Sequence, residues 1–127
     1  MAKYVHADVL DGGLNAIKSG AIRMHLLKAY SSADSFATVT SNIVASVVMA
    51  SGDYTISGAD GAARILTVAA RSGTASANSG ATPDLHIAFT DNVSKVLLVT
   101  DETTDQVVTS GNTVNFPSLT YTSAQPS

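Results

Sequence analysis

Apolar residues recur along the chain with two different periods. Between residues 6 and 18, Val9, Leu10, Leu14 and Ile17 fall close to an i, i+4, i+7 spacing, which collects side chains on one helical face. Asp8 in the first turn and Lys18 in the last complement the helix dipole, and Gly20 follows as a stop. The pattern predicts one short N-terminal helix over 6–18. Gly12 and Gly13 work against it, since each costs about 1 kcal/mol relative to alanine inside a helix. Such a helix needs a sheet to lie on.

From residue 21 the period drops to two. Ile22, Met24 and Leu26 alternate with Arg23, His25 and Leu27, a strand pattern. Residues 30–42 are mostly small and polar, and Phe36 and Val39 allow a single helical turn inside a loop. A β-branched run over 43–49 follows, then a turn at Ser51-Gly52-Asp53 and a short extended piece at Tyr54-Thr55-Ile56. Gly58-Ala59-Asp60-Gly61 supplies the positive φ angles of a tight turn, and residues 64–70 resume the strand pattern. Residues 71–84 contain no large apolar side chain and predict an exposed loop of about fourteen residues, a length at which loops are mobile or used for contact. Strands are expected at 85–90, at 95–100, and at 106–110 running through Gly111-Asn112 into 113–122, with residues 91–94 and 111–112 as hairpin connections. The sum is a mainly β chain: a β-sandwich or jelly-roll-like barrel of about seven strands with the helix packed near its N-terminus, forming a single domain over 1–127.

Composition adds that the surface is weakly charged. Charged residues are 13% of the chain, against about 25% for soluble domains, and the hydrophobic fraction is an ordinary 45%. A hydroxyl-rich, weakly repulsive coat suits a protein packed against copies of itself or a partner. The net charge is −3, and the seven basic residues form no run, so nothing attracts a phosphate backbone and no nucleic-acid partner is expected. The first ten residues lack a secretory pattern and no apolar stretch is long enough to span a bilayer, so no membrane partner is expected either. The absence of cysteine removes disulfides and thiolate chemistry.

Candidate chemistry is thin. His6, His25 and His86 lie far apart, without the short spacing of a zinc motif. No Gly-x-Ser-x-Gly elbow is present, so a Ser-His-Asp hydrolase has only a chance triad to draw on. Asp101, Glu102 and Asp105, and the turn around Asp53, Ser57 and Asp60, offer hard oxygen ligands without the spacing of a calcium loop, and read as solvated turns. Gly58, Gly61, Gly73 and Gly80 match no phosphate-binding pattern. With four tyrosines and no tryptophan, the chain also makes a poor glycan platform. No catalytic, cofactor-binding or metal-ligating residue is assigned, and the chain does not read as an enzyme.

Four segments carry a family likeness. YVHADVLDGGLNAIKSGAIRMHL, DYTISGADGAARILTVAARSG, HIAFTDNVSKVLLVT and VTSGNTVNFPSLTY, spread from Tyr4 to about Tyr121, resemble a group of small structural proteins of tailed bacteriophages. The departures lie in residues 30–50 and 71–84, where members of that group vary. The resemblance implies a virion protein, made in the host cytoplasm and carried on the capsid surface, acting as a head decoration or cement protein. Its implied partners are the major capsid protein and copies of itself, as a dimer or trimer. The N-terminal segment and the 71–84 loop are the expected contact surfaces. The rival expectation is a tail or adhesion component that binds a host receptor or glycan.

Overall fold

The structure, a computed structural model, describes residues 2–126. His6 opens its first helix by accepting the Asp8 amide on Nδ1 at 3.0 Å. The helix, α1 (Ala7–Gly20), therefore starts one residue inside the expected span and runs two beyond it. Leu14 and Ile17 are buried as expected, whereas Leu10 is half-buried and Val9 is 69% exposed. The two interior glycines face open space. What the backbone lacks in helical propensity is offset by tertiary pins. Asp11 holds Arg64 at 2.8 and 3.1 Å, and Lys18 Nζ donates to the Tyr54 carbonyl at 2.9 Å.

Nine strands follow among the described residues. They are β1 (Arg23–Leu27), β2 (Ile43–Val48), β3 (Tyr54–Ser57), β4 (Arg64–Val68), β5 (Arg71–Thr74), β6 (His86–Thr90), β7 (Val96–Asp101), β8 (Thr113–Phe116) and β9 (Leu119–Ser123). A second helix, α2 (Phe36–Ser41), lies between the first two and starts where Ser35 Oγ accepts the Thr38 amide. The strands form a four-stranded sheet in the order β2-β1-β6-β7, a three-stranded sheet β3-β4-β9 and a ribbon β5-β8, all antiparallel. The mainly β fold with its N-terminal helix is as the residue pattern predicts, with nine shorter strands in place of about seven.

The core lies between the first two sheets. Met24, Leu26, Val47, Ile87 and Phe89 from the larger sheet meet Tyr54, Leu66 and Val68 from the smaller one. The Tyr54 and Phe89 rings meet edge-on with centroids 6.3 Å apart. The Tyr54 hydroxyl donates to the Ala21 carbonyl at 2.7 Å. Burial, and secondarily the Asp53 charge, push this phenol up to about 12, which keeps the proton available for that bond. On the outer face of the larger sheet, Leu27, Ala88 and Val39 of α2 make a second, smaller cluster.

Three expectations are corrected. The segment 71–84 is an exposed loop only in its second part: residues 71–74 are β5, Ala75 is buried and bridges Ala45 on β2, and residues 76–84 carry no strand and are mostly exposed apart from the buried Ser79. At Gly73 the backbone runs close to the larger sheet, which requires a small residue there. A Cβ on Gly73 would lie 2.8 Å from Val47 Cγ1. Residues 106–110 do not form a strand, because they meet an irregular segment and not a ladder. Ser79 donates its amide to the Val108 carbonyl at 2.9 Å and accepts the Val108 amide on Oγ at 2.8 Å. The strand expected over 113–122 is two strands in different sheets, broken at Pro117-Ser118, where proline removes a ladder donor.

The turn between β3 and β4 behaves as its glycines require. Gly58 has φ +115, and a Cβ there would stand 2.4 Å from the Ala63 carbonyl oxygen. Gly58→Ala is expected to lower stability by about 2 kcal/mol, from left-handed strain and backbone collision together. Chemical denaturation checks this; a neutral result would mean that the turn is built differently.

Candidate functional site

Sheet order leaves specific edges unpaired. β7 ends the four-stranded sheet, and β9 ends the three-stranded sheet on the side that α1 spans. Between these two edges lies a slot of about 220 Å³, floored by Leu14 and Ile17 of α1 and walled by Leu97, Leu98 and Tyr121. Register explains its apolar character. Leu98 pairs with the fully buried Phe89, and Tyr121 with the fully buried Leu66, so both point to the inner side of their sheets. Tyr121 nevertheless remains 44% exposed. The sandwich is thus open along one side, with core-facing residues showing at its mouth.

A second groove of about 220 Å³ is lined by residues of the 102–117 stretch, Glu102, Asn112 and Phe116 among them, together with Leu26 and Ile87. No helix among the described residues is long and apolar enough to cross a membrane.

The three histidines fall in three environments. His6 caps α1. His25, expected on a polar face, is buried in the middle of the larger sheet, where Nδ1 lies 2.6 Å from Ser46 Oγ on β2 and Nε2 2.9 Å from Thr90 Oγ1 on β6. Burial, and secondarily the Arg23 charge, lower its pKa from an ordinary 6.5 to about 4, so the ring is neutral at physiological pH. A serine hydroxyl on a neutral imidazole is the first half of a nucleophile–base pair. The third member here is a threonine hydroxyl, which cannot stabilise an imidazolium as a buried carboxylate does. The chain of bonds is a clasp across β2, β1 and β6.

His86 stands between Asp84 and Asp101, with Nδ1 4.0 Å from one carboxylate and Nε2 3.8 Å from the other. The residue pattern missed this grouping. Asp84 and His86 are two apart and share a side of an extended segment, which is visible in the sequence. Asp101 joins them only through the β6–β7 register, in which it is paired with His86.

The two acidic groups singled out from the sequence do not assemble as units. Asp60 accepts the Tyr4 hydroxyl on both oxygens at 2.8 Å and the Ala7 amide at 3.0 Å, and these bonds, the tyrosine first, hold its carboxyl below the usual range. Asp53 takes Arg71 and the Ala50 amide, each at 2.8 Å. Asp105 accepts the Leu85 amide at 2.8 Å and Glu102 the Thr104 amide at 3.1 Å, while Asp101 turns to His86. The two segments expected as contact surfaces are both held by the fold. Segment 71–84 is stitched into the fold. The N-terminal segment is tied down by Tyr4 and by Gln125, which accepts the Val5 amide and donates to the Val5 carbonyl, each at 2.8 Å.

Comparison with protein-family models, with curated proteins and with solved structures finds no match to this chain.

Proposed function

We propose that the protein is a structural subunit of a tailed-phage virion, a head decoration protein that stabilises the capsid by bridging adjacent major capsid subunits without covalent bonds. The observation that carries this reading is the slot between the unpaired edges of β7 and β9. Its walls are inward-facing residues of the two sheets, left uncovered at the edge. Exposed strand edges are either protected or paired with another chain. A partner segment entering here would add main-chain hydrogen bonds to an edge and bury Tyr121, the mode known as strand addition. The low charge of the chain and its resemblance to phage structural proteins support the same assignment. Many copies on a symmetric lattice make weak single contacts sufficient, because each bound copy raises the effective concentration at the next site.

The test is add-back of purified protein to capsids that lack decoration, read by co-sedimentation and image reconstruction. The wild-type chain is expected to occupy the head surface in many copies. Tyr121→Asp, on a partly exposed side chain, is expected to weaken binding by about tenfold or more through loss of an aromatic anchor, with folding unchanged. Failure of the wild-type chain to bind any shell sinks the proposal, and copies confined to the tail would favour the adhesion reading.

A further inference from the structure

One nitrogen of His86 and one carboxylate oxygen from each of Asp84 and Asp101 lie within 4.8 Å of one another. The three side chains come from two strands and the residue leading into the first, so backbone pairing sets their spacing. His86 itself is held in place. Its side chain is only 16% exposed, and its ring packs on Tyr30 with centroids 5.5 Å apart. Nδ1 donates to the Asp84 carbonyl at 3.1 Å. That bond requires the proton on Nδ1, so the lone pair of the neutral ring is on Nε2, which faces Asp101 Oδ1. A ring nitrogen that donates to a backbone carbonyl while the other remains free is how ligating histidines are oriented. Neither carboxylate has a lysine or arginine ion pair among the described residues; each has only His86.

We propose that Asp84, His86 and Asp101 bind a divalent transition-metal ion of the zinc class, independently of any role in assembly. Zinc takes imidazole and carboxylate ligands at about 2.0–2.2 Å, which places neighbouring ligand atoms about 3.3 Å apart. The three ligand atoms lie within 4.8 Å of one another, so closing to that spacing needs up to about 1.5 Å of movement, within rotamer adjustment of two exposed aspartates. The imidazole selects against calcium and magnesium, which favour oxygen-only sets. Three protein ligands leave a fourth position for water or for a donor from a partner. A bound ion would fasten the start of β6 to the end of β7 and neutralise the excess of negative charge there.

The full-length protein is titrated with zinc chloride, and separately with calcium chloride, by calorimetry at neutral pH. One zinc per chain is expected, with calcium far weaker. His86→Gln and Asp101→Asn should each weaken zinc binding by about 100-fold or more, since loss of a ligand exceeds loss of an outer partner. His6→Gln should leave it intact. Circular dichroism confirms that the variants fold. As a check needing no variant, cobalt added to the wild-type chain should broaden the His86 ring signals in NMR spectra before those of His6. Absence of saturable zinc binding, wild-type affinity in His86→Gln, equal affinity for calcium, or broadening centred on His6 overturns the assignment.

Discussion

Truncation of Phe89 to alanine is expected to lower the unfolding free energy by about 3–5 kcal/mol, a large share of the roughly 5–15 kcal/mol that holds a domain of this size together. Phe89 is fully buried on β6 and pairs in register with Met24 and with Leu98. Its ring meets Tyr54 across the sheets. Removing it leaves a void bounded by two sheets whose hydrogen-bonded ladders resist collapse, so the cavity cost adds to the lost transfer energy. Urea denaturation should show a lower midpoint with an unchanged slope, and Phe89→Leu should be milder, at about 1.5 kcal/mol or less. A loss under about 1 kcal/mol for Phe89→Ala would mean that the two sheets do not share the core described above.

Acid should weaken the fold well before the carboxylates titrate. The folded His25 has its pKa lowered to about 4, while the unfolded chain takes up that proton at the ordinary 6.5. Its contribution is complete above pH 6.5 and is lost as the pH falls toward 4, because in that window the unfolded state binds the extra proton. The slope is about 1.4 kcal/mol per pH unit and the total about 3 kcal/mol. Denaturation midpoints measured from pH 7.5 to 4 test this. In His25→Gln, which is less stable at neutral pH, the component should vanish and the profile flatten through that window. An unchanged slope in the variant would assign the acid sensitivity to other groups. Asp60 and Asp91 have lowered pKa values, from the Tyr4 hydroxyl and from backbone amides respectively, and lose their contribution only below the ordinary carboxylate value of 3.8.

Period and turn chemistry were enough to find the helix, the strand around Met24, the turn at Gly58 and the hairpin at residues 91–94. In each case the determining interaction is local. At the last of these, Asp91 Oδ1 accepts the amides of Val93, Ser94 and Lys95, an arrangement the residue types themselves suggest. The failures are non-local. Small residues over 71–75 look like the start of the solvated loop that follows them, yet at Gly73 small size reflects close passage over Val47. The adjacent Val107 and Val108 have strand propensity but no strand beside them to pair with. His25 reads as a polar-face residue because Ser46 and Thr90, its partners, arrive from positions 21 and 65 residues away. The grouping of His86 with Asp101 depends on the register of the 91–94 hairpin, which shifts at Phe89/Thr90, and the slot at Tyr121 depends on strand order, which no periodicity encodes.

The amide clasp between Val5 and Gln125 brings the two ends of the described chain to one spot, with a third bond of 3.2 Å from Gln125 to the Ala62 carbonyl. A peptide appended at either end would therefore emerge from the same patch of surface. A few linking residues could join the ends, letting new termini be cut elsewhere, for instance at the 91–94 turn, while the order of strands in space stays as it is.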